Sequence, residues 1–483
     1  MAPDTTQPDP TTNMDSSVSD LERIFAAQKN SFAQAPFPDH QERTLRLDTM
    51  IAAITDHEEK IVAAISRDFG NRSPFESTLS EIIISIAAAK NARKNLKSWM
   101  KPRKVSTPLH LFPAKSRLVP QPLGVVGILS PWNYPMQLAL APASAALAAG
   151  NRVLIKPSEL APRTSALLKE IFSRVFDETI LSVVTGGVDI GRTFSELPFD
   201  HLLFTGSSTT GQKVAQAAAK NLTPVTLELG GKSPAIVDPS ANFAKAGYSI
   251  AQGKTFNAGQ TCVAPDYVIA PASARDELVA AILDGANKLF PEIESTQDYT
   301  SIISDRHFAR LTALIEDART KGAKIIEVGS PEQLRSQRKV PLTLVVDPAP
   351  DTNLLHEEIF GPVLPIISTA SVDETVAFIN KGDHPLALYW YGEDADARHE
   401  ILSRTHAGGV TINDCLLHAA QESLPFGGVG RSGMGAYRGK YGFDTFSHLK
   451  PVLYQNRFSV TEKIHPPYSE ATNKVIKLIR KII

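Results

Sequence analysis

The chain of 483 residues is long enough for two or three domains, and its 42% of apolar residues is ordinary for a globular protein with a filled core. Its 50 basic and 51 acidic residues leave a net charge of −1 without a block of one sign, which argues against nucleic acid as a partner. The two cysteines, Cys262 and Cys415, exclude a disulfide framework or a cysteine-rich zinc site and fit a reducing cytoplasm.

The N-terminal part of the chain predicts a tail followed by helices. Residues 1–17 are rich in Pro, Thr, Asp and Ser and lack the pattern of a secretory signal, so we expect a disordered tail. Apolar residues then recur at helical spacing, and one helix is predicted from about Phe75 to Trp99. Prolines divide the next segment, 105–123, which predicts short strands or a hairpin that serves as an oligomerisation arm.

From Gly124 the pattern changes to apolar strands that alternate with helices. The predicted strands include Val125–Leu129, Val153–Ile155, Leu181–Val184, His201–Phe204 and Val225–Leu227. Strands separated by helices of about ten to fifteen residues predict a parallel sheet covered on both faces, with ligands at the carboxyl ends of its strands. A second alternating region follows Glu228, and the whole chain is therefore predicted to be an α/β protein.

Two further segments bear on membranes. The longest apolar run, Leu138–Ala149, is interrupted by Pro142 and is too short to cross a bilayer, so no transmembrane segment is predicted. The last helix, Asn473–Ile483, is basic and amphipathic. It could lie on a membrane surface, but packing against the protein or a partner subunit is the favoured interpretation.

Two glycine-rich loops are candidate phosphate sites. The loop Thr205–Gly211 leads from a predicted strand directly into a helix, whose first N–H groups could bind a phosphate. The segment Gly428–Gly433 has the G-x-G-x-x-G pattern, but no strand precedes it and no βαβ unit follows. We therefore reject the second loop as a dinucleotide fingerprint.

Cys262 is the candidate nucleophile. It follows the polar turn Asn257–Thr261 and precedes Pro265, a context that predicts a bend holding the sulfur at a surface. A single intracellular cysteine is more often a buried, unreactive apolar residue. Glu228 and the run around Asn133 favour the catalytic interpretation, because they complete a set of motifs.

The motifs stand in a fixed order along the chain: Pro131-Trp-Asn-Tyr-Pro135, Lys156-Pro-Ser-Glu159, Phe204-Thr-Gly-Ser207 with Gly211, Leu227-Glu-Leu-Gly-Gly-Lys232, Gly259-Gln-Thr-Cys-Val-Ala-Pro265, Glu357-Glu-Ile-Phe-Gly-Pro362 and Pro425-Phe-Gly-Gly428. In this order they resemble the aldehyde dehydrogenase superfamily over about residues 18–450. Details around Cys262 and His418 are most similar to the class 3 branch, close to coniferyl-aldehyde dehydrogenases.

The resemblance implies a role for each catalytic residue. Cys262 attacks the aldehyde, the Asn133 amide and the Cys262 backbone N–H stabilise the oxyanion, and Glu228 activates water to release the thioester. Without the motifs, Asn133 would be read as a turn residue and Glu228 as an ion-pair partner in a loop.

The resemblance also implies the ligand contacts. Lys156 and Glu159 are expected at the adenosine ribose; the others are Thr205, Gly206, Ser207 and Gly211 at the phosphates, and Glu358 and Phe360 at the nicotinamide half. An acidic residue at the ribose favours NAD, although Lys156 could tolerate NADP. Substrate contacts are expected from four rings: Trp132, Tyr134, His418 and Phe426.

The fold implied is a Rossmann-like NAD-binding domain, an α/β catalytic domain and a small β bridging element. We expect the cofactor-binding domain at 18–104 and 124–227, the bridging element at 105–123 and 415–450, the catalytic domain at 228–414 and a tail at 451–483. The resemblance implies a homodimer. A CoA-acylating enzyme and a non-enzymatic protein of the same fold remain rivals. Retention of the hydrolytic base Glu228 speaks against the first, and retention of both Cys262 and Glu228 speaks against the second.

Overall fold

A computed structural model describes residues 15–457 and 464–482 of the chain. Its α-helices are α1 Val18–Gln34, α2 His40–Asp56, α3 Glu58–Phe69, α4 Pro74–Ser77, α5 Ile84–Trp99, α6 Gln137–Ala149, α7 Pro162–Val175, α8 Val188–Glu196, α9 Ser208–Ala219, α10 Phe243–Thr255, α11 Arg275–Leu289, α12 Asp305–Thr320, α13 Pro331–Arg335, α14 Val372–Lys381, α15 Ala395–Arg404, α16 Gly439–Thr445 and α17 Glu470–Ile482. A π-helical turn, Thr78–Ile83, separates α4 from α5, where the sequence predicts one continuous helix.

The strands form three sheets. They are β1 Arg103–Val105, β2 Lys115–Pro122, β3 Val125–Leu129, β4 Arg152–Lys156, β5 Leu181–Val183, β6 His201–Thr205, β7 Val225–Glu228, β8 Pro234–Val237, β9 Tyr267–Pro271, β10 Lys324–Glu327, β11 Thr343–Val346, β12 Val363–Thr369, β13 Ala387–Tyr391, β14 Gly409–Ile412, β15 Gly433–Met434 and β16 Ser447–Tyr454. The mixture of helices and mainly parallel strands confirms the predicted α/β fold class.

The first sheet has six strands in the order β15-β7-β6-β3-β4-β5. Strands β7 to β5 pair in parallel, and only the short β15 runs antiparallel, against the end of β7. Strands β3, β4, β5 and β6 are buried along their whole length, as expected for a sheet with helices on both faces. Helix α6 is buried on every side, which explains why its sequence is apolar except for Gln137 and Ser144.

The second sheet has seven strands in the order β10-β11-β12-β9-β8-β13-β14, and only β10 is antiparallel to its neighbour. Each of the two mainly parallel sheets therefore has one edge formed by carboxyl strand ends, where ligands of such sheets bind. The third sheet, β1-β2-β16, is antiparallel.

The third sheet contains part of the expected bridging element, whose boundaries stay a prediction. Its strand β16 runs to Tyr454, so the expected boundary at residue 450 falls inside a strand. Strand β15, which lies in the same expected element, joins the six-stranded sheet instead. The glycine-rich sequence around β15 has no alternation from which this pairing could have been predicted.

Parts of both predicted tails are described. Residues 1–14 of the predicted tail lie outside the described residues, whereas Ser16 is buried and donates its backbone N–H to the Thr185 carbonyl, 3.0 Å away. Helix α17 begins at Glu470, before the predicted start, and lies against the short 3₁₀ helix Leu109–Leu111 of the arm. None of the helices in the described ranges is long and apolar enough to cross a membrane. The homodimer stays a prediction.

Candidate active site

A cavity with about 240 Å³ of accessible space opens where the carboxyl ends of β6 and β7 meet loops of the second sheet. Its lining includes nine of the residues predicted from the sequence: Trp132, Asn133, Thr205, Gly206, Ser207, Glu228, Cys262, Glu358 and Phe360. These residues come from segments up to 228 positions apart, between Trp132 and Phe360. The fold therefore gathers the separate motifs at one site, at the strand ends where parallel sheets bind ligands.

Cys262 reaches this cavity because the chain before it turns sharply. Asn257 and Ala258 have φ values of 51° and 50°, in the left-handed region that residues with a Cβ rarely adopt. The turn is buried, and Cys262 at its end is half-buried, whereas Cys415 is buried. Burial, followed by the charges of Glu358 and Glu228, raises the pKa of the Cys262 thiol to about 12.

Asn133 is held so that one amide hydrogen remains available. Its side-chain Nδ2 donates to the Gln260 main-chain carbonyl at 3.1 Å. The main-chain carbonyl of Asn133 accepts from Arg72 Nη1 at 3.1 Å and from Asn257 Nδ2 at 3.0 Å. An amide NH₂ group has two hydrogens, so the second can point into the cavity as an oxyanion donor. Asn133 is 3% exposed, which limits its motion.

Arg72 holds the main chain of Asn133 through the hydrogen bond to its carbonyl. Its guanidinium is completely buried and donates to Glu81 at 3.0 Å and to Glu76 at 3.2 Å. Glu81 lies in the π-helical turn and also accepts the backbone N–H of Gln137 at 2.8 Å. Removing one partner of such a buried pair typically costs ~3–5 kcal/mol of stability. This arginine clamp, Arg72 with Glu76 and Glu81, thus fixes the main chain that carries the amide.

Glu228 ends strand β7 and is 2% exposed. Neither of its carboxylate oxygens has a hydrogen-bond partner among the described protein groups. Burial raises its pKa well above the ordinary value, and the charge of Arg438 acts in the opposite direction. A buried carboxylate with a raised pKa and free lone pairs is suited to accept a proton near neutral pH.

Glu358 and Phe360 also form part of the wall of this cavity. The Glu358 carboxylate lies so close to Gly230 that a Cβ there would be 2.1 Å from Oε2, so a larger residue at position 230 would displace this carboxylate. Burial, and then the charge of Asp266, raises the pKa of Glu358 to about 7. The rings of Phe360 and Trp132 meet edge to face with their centroids 5.4 Å apart.

A second cavity contains the residues expected at an adenosine ribose. Its lining includes Glu159, Thr185 and Gly187. Lys156 Nζ donates to Glu159 Oε2 at 2.9 Å, which places the ammonium beside this cavity. Its accessible space is about 190 Å³. Two cavities with these charged and polar linings fit the two halves of a dinucleotide.

Helix α9 begins at the edge of the first cavity. Ser207 caps it by accepting from the Thr210 N–H. The other N–H groups of a first helical turn have no partner within the helix, which is what an anion site requires. Thr205 Oγ1 is buried and has no partner among the described groups. Gly211 lies one turn further on, where a Cβ would be 2.6 Å from the Leu229 side chain. Its role in the structure is close packing of α9.

Five predicted residues line neither of the two cavities in the described part of the chain: Tyr134, Lys156, Gly211, His418 and Phe426. Tyr134 is buried, with its hydroxyl 2.6 Å from Thr261 Oγ1. His418 pairs its Nδ1 with Thr411 Oγ1 at 2.8 Å. Phe426 packs edge to face on Tyr437.

Sequence reasoning missed His307 and Arg310, which lie in the cavity wall. They are three residues apart on α12 and so share one helix face. His307 meets Trp132 with ring centroids 5.0 Å apart, and Arg310 donates to the Ile359 carbonyl. The spacing was the only signal, and it is equally typical of an exposed helix surface.

Comparisons with known proteins agree with this geometry. The model of the aldehyde dehydrogenase family matches residues 3–452. The chain is 45% identical over 459 residues to the probable coniferyl aldehyde dehydrogenase of Pseudomonas aeruginosa, which covers 95% of this chain and 96% of that protein. It is 39% identical to the rat aldehyde dehydrogenase family 3 member A2, with 93% of this chain and 92% of that protein covered.

A solved structure is similar over the same extent. Staphylococcus aureus AldH in a substrate-bound state superposes with a TM-score of 0.90 at 40% identity and covers 95% of this chain and 99% of that chain. The resemblance predicted from the motifs is therefore confirmed. The chain belongs to the aldehyde dehydrogenase family, whose enzymes oxidise aldehydes with NAD(P) as the hydride acceptor.

Proposed function

We propose that this enzyme oxidises an apolar aldehyde to the carboxylic acid through a thioester on Cys262. The observation that carries the proposal is the arrangement of Cys262, Glu228 and Asn133 around one cavity. The three side chains supply a nucleophile, a base and an oxyanion donor, which are the groups that this reaction requires.

The reaction begins with the Cys262 thiolate, whose proton has passed to solvent. Its sulfur bonds to the aldehyde carbon, and the Asn133 amide donates to the oxygen that becomes negative. Bound NAD(P) supplies the hydride acceptor, and loss of hydride from this carbon leaves a thioester. Water then attacks the thioester carbonyl and gives a proton to Glu228, and the C–S bond breaks to release the acid and the Cys262 thiolate. Glu228 then passes its proton to solvent.

The cofactor is proposed to be NAD, with its adenosine ribose between Lys156 and Glu159. A carboxylate beside the ribose hydroxyls repels a 2′-phosphate. In Glu159→Gln the Lys156 ammonium loses its 2.9 Å partner and can pair with that phosphate. The ratio of kcat/KM for NADP to that for NAD is expected to rise about tenfold, or ~1.4 kcal/mol.

Steady-state kinetics with both cofactors measures this ratio. The matched control is Glu170→Gln, which removes the partner of Arg174 from an exposed pair on the neighbouring helix α7 and should leave the ratio unchanged. A ratio that stays the same in Glu159→Gln would contradict the proposed ribose site.

The substrate is proposed to be aromatic, terpenoid or long-chain. Trp132 and Phe360 give the cavity two aromatic walls, and the Pseudomonas relative is named for coniferyl aldehyde, which is aromatic. Stacking and burial against such walls favour flat or extended apolar groups. The rival explanation is that the rings only pack the interior, which fits the buried positions of Tyr134 and Phe426.

NADH formation across a panel of aldehydes tests the proposal. We expect kcat/KM for cinnamaldehyde-type and long-chain aldehydes to exceed that for acetaldehyde by a factor of about 10 to 100, which corresponds to ~1–3 kcal/mol. Equal values would refute the apolar substrate class and leave aldehyde oxidation intact. Product analysis with and without CoA separates hydrolysis from the CoA-acylating alternative.

A further inference from the structure

The short segment before helix α1 is fixed beside the second cavity. Ser16 is buried, and its backbone N–H donates to the Thr185 carbonyl at 3.0 Å. The Thr185 N–H donates in return to Ser16 Oγ at 3.3 Å, and Lys169 Nζ donates to the same oxygen at 3.1 Å. Three hydrogen bonds therefore hold this segment against the loop that follows β5.

Helix α1 holds the segment from its other end. The Ser17 hydroxyl accepts the Asp20 N–H at 3.1 Å, and the Asp20 carboxylate accepts the Ser17 N–H at 3.1 Å, which is a capping box. Further along α1, Gln28 Nε2 donates to the Val153 carbonyl at 3.0 Å, so the helix is attached to strand β4. The chain immediately before Ser16 therefore has a defined position next to the first sheet.

This anchoring places Asp15 in the wall of the second cavity. Among the described residues, the charged side chains that line this cavity are Asp15 and Glu159, and both are acidic. Lys156 and Lys169 donate to Glu159 and Ser16, but neither lysine lines the cavity. The wall itself therefore carries negative charge from two separate parts of the chain.

This charge bears on which ribose the cavity accepts. A phosphate on the 2′-oxygen brings about two further negative charges, whereas a free 2′-hydroxyl brings none. Two carboxylates in one small cavity repel the phosphate and leave the hydroxyl unaffected. Because the Lys156 ammonium pairs with Glu159, replacing Asp15 would remove a repulsion without releasing this cation.

We infer that Asp15 is a second specificity-determining residue of the ribose site, which acts with Glu159 to disfavour the 2′-phosphate of NADP. This role rests on the proposed function and extends it, because it makes the segment before α1 part of the cofactor site. The preference for NAD then depends on two carboxylates that can be replaced one at a time.

Isothermal titration calorimetry without aldehyde tests this role by binding alone. It gives the Kd of the full-length protein for NAD and for NADP. In Asp15→Asn the Kd for NADP relative to that for NAD should fall about threefold, the effect expected when one like charge is removed at close range in water. The Kd for NAD itself should change little. The capping box and the Ser16 contacts do not involve the Asp15 side chain, so the fold should be retained.

The salt dependence identifies charge as the cause. Exposed charges are screened over about 10 Å in 0.1 M salt and about 3 Å in 1 M salt. The difference between Asp15→Asn and the wild type should therefore be largest at low salt and disappear near 1 M sodium chloride. A difference that is the same at both salt concentrations would overturn the inference, because a change in cavity shape is not screened.

Glu22→Gln is the matched control. Glu22 is an exposed acidic residue of α1 that lines neither of the two cavities in the described part of the chain, so its variant should keep the wild-type ratio. An unchanged ratio in Asp15→Asn, or an equal fall in Glu22→Gln, would overturn the inference.

Glu159→Gln separates this inference from the proposed function. If Glu159→Gln lowers the ratio of Kd values and Asp15→Asn does not, the ribose site stands and Asp15 has no part in it. If neither variant changes the ratio, the proposed ribose site fails together with the inference.

Discussion

Cys262→Ala is expected to abolish NADH formation, with a loss of about 10⁴-fold or more, because removal of a covalent nucleophile leaves only the contribution of binding. Cofactor binding should change little, since the contacts proposed for the ribose and phosphates come from other residues. Activity is measured as NADH formation and binding as quenching of protein fluorescence by NAD.

Cys415→Ala provides the control for this prediction. Cys415 is buried behind Gly253, where it donates to the Ser249 carbonyl at 3.2 Å, and it does not line the cavity formed by the described residues. Its replacement should leave activity close to that of the wild type. Substantial NADH formation by Cys262→Ala would refute the assigned nucleophile.

Glu228→Gln is expected to separate the two halves of the reaction. An amide cannot accept the proton of the attacking water, so the acyl-enzyme should form and then persist. Stopped-flow absorbance should record a burst of about one NADH per active site, followed by a steady state slowed by about 10²- to 10⁴-fold. Glu196→Gln, which removes an exposed partner of Lys220, should behave as the wild type.

The alternative result has a physical meaning. The pKa of Cys262 is raised to about 12 by burial and by two carboxylates, so the thiol needs help to ionise. If Glu228→Gln loses the burst as well, Glu228 removes the thiol proton before the aldehyde is attacked. Both roles need ionised Glu228 and therefore give activity that rises with pH and falls below the raised pKa of this residue.

The first sheet was largely predictable because burial on both faces makes each strand a continuous apolar run. Val125–Leu129 was predicted to the residue, and β4 and β6 extend the predictions by one or two positions. Strand β15 could not be predicted, because a strand of two residues is too short to show a hydrophobic pattern in the sequence.

The candidate site was predictable where a residue type itself carries the chemistry. Cys262, Glu228 and Asn133 belong to motifs and share one cavity in the structure. Arg72 and Arg438 were missed, because an arginine among polar neighbours is normally exposed. Only the fold reveals that Arg72 is buried against Glu76 and Glu81, and that Arg438 is buried against Glu422, which is 16 positions away in the sequence. Arg72 also donates to the Asn133 carbonyl, 61 positions away.

The arginine clamp also determines which fragments and chimaeras of this protein should keep the site intact. A fragment that begins at Gly124 would encode every proposed catalytic side chain, yet it would lack Arg72, Glu76 and Glu81. The Asn133 carbonyl would then keep Asn257 as its side-chain donor but lose the buried guanidinium. Helices α3 to α5 and the loop before α6 therefore depend on one another through Arg72, and chimaeras with related enzymes should be more stable with crossovers after this block than within it.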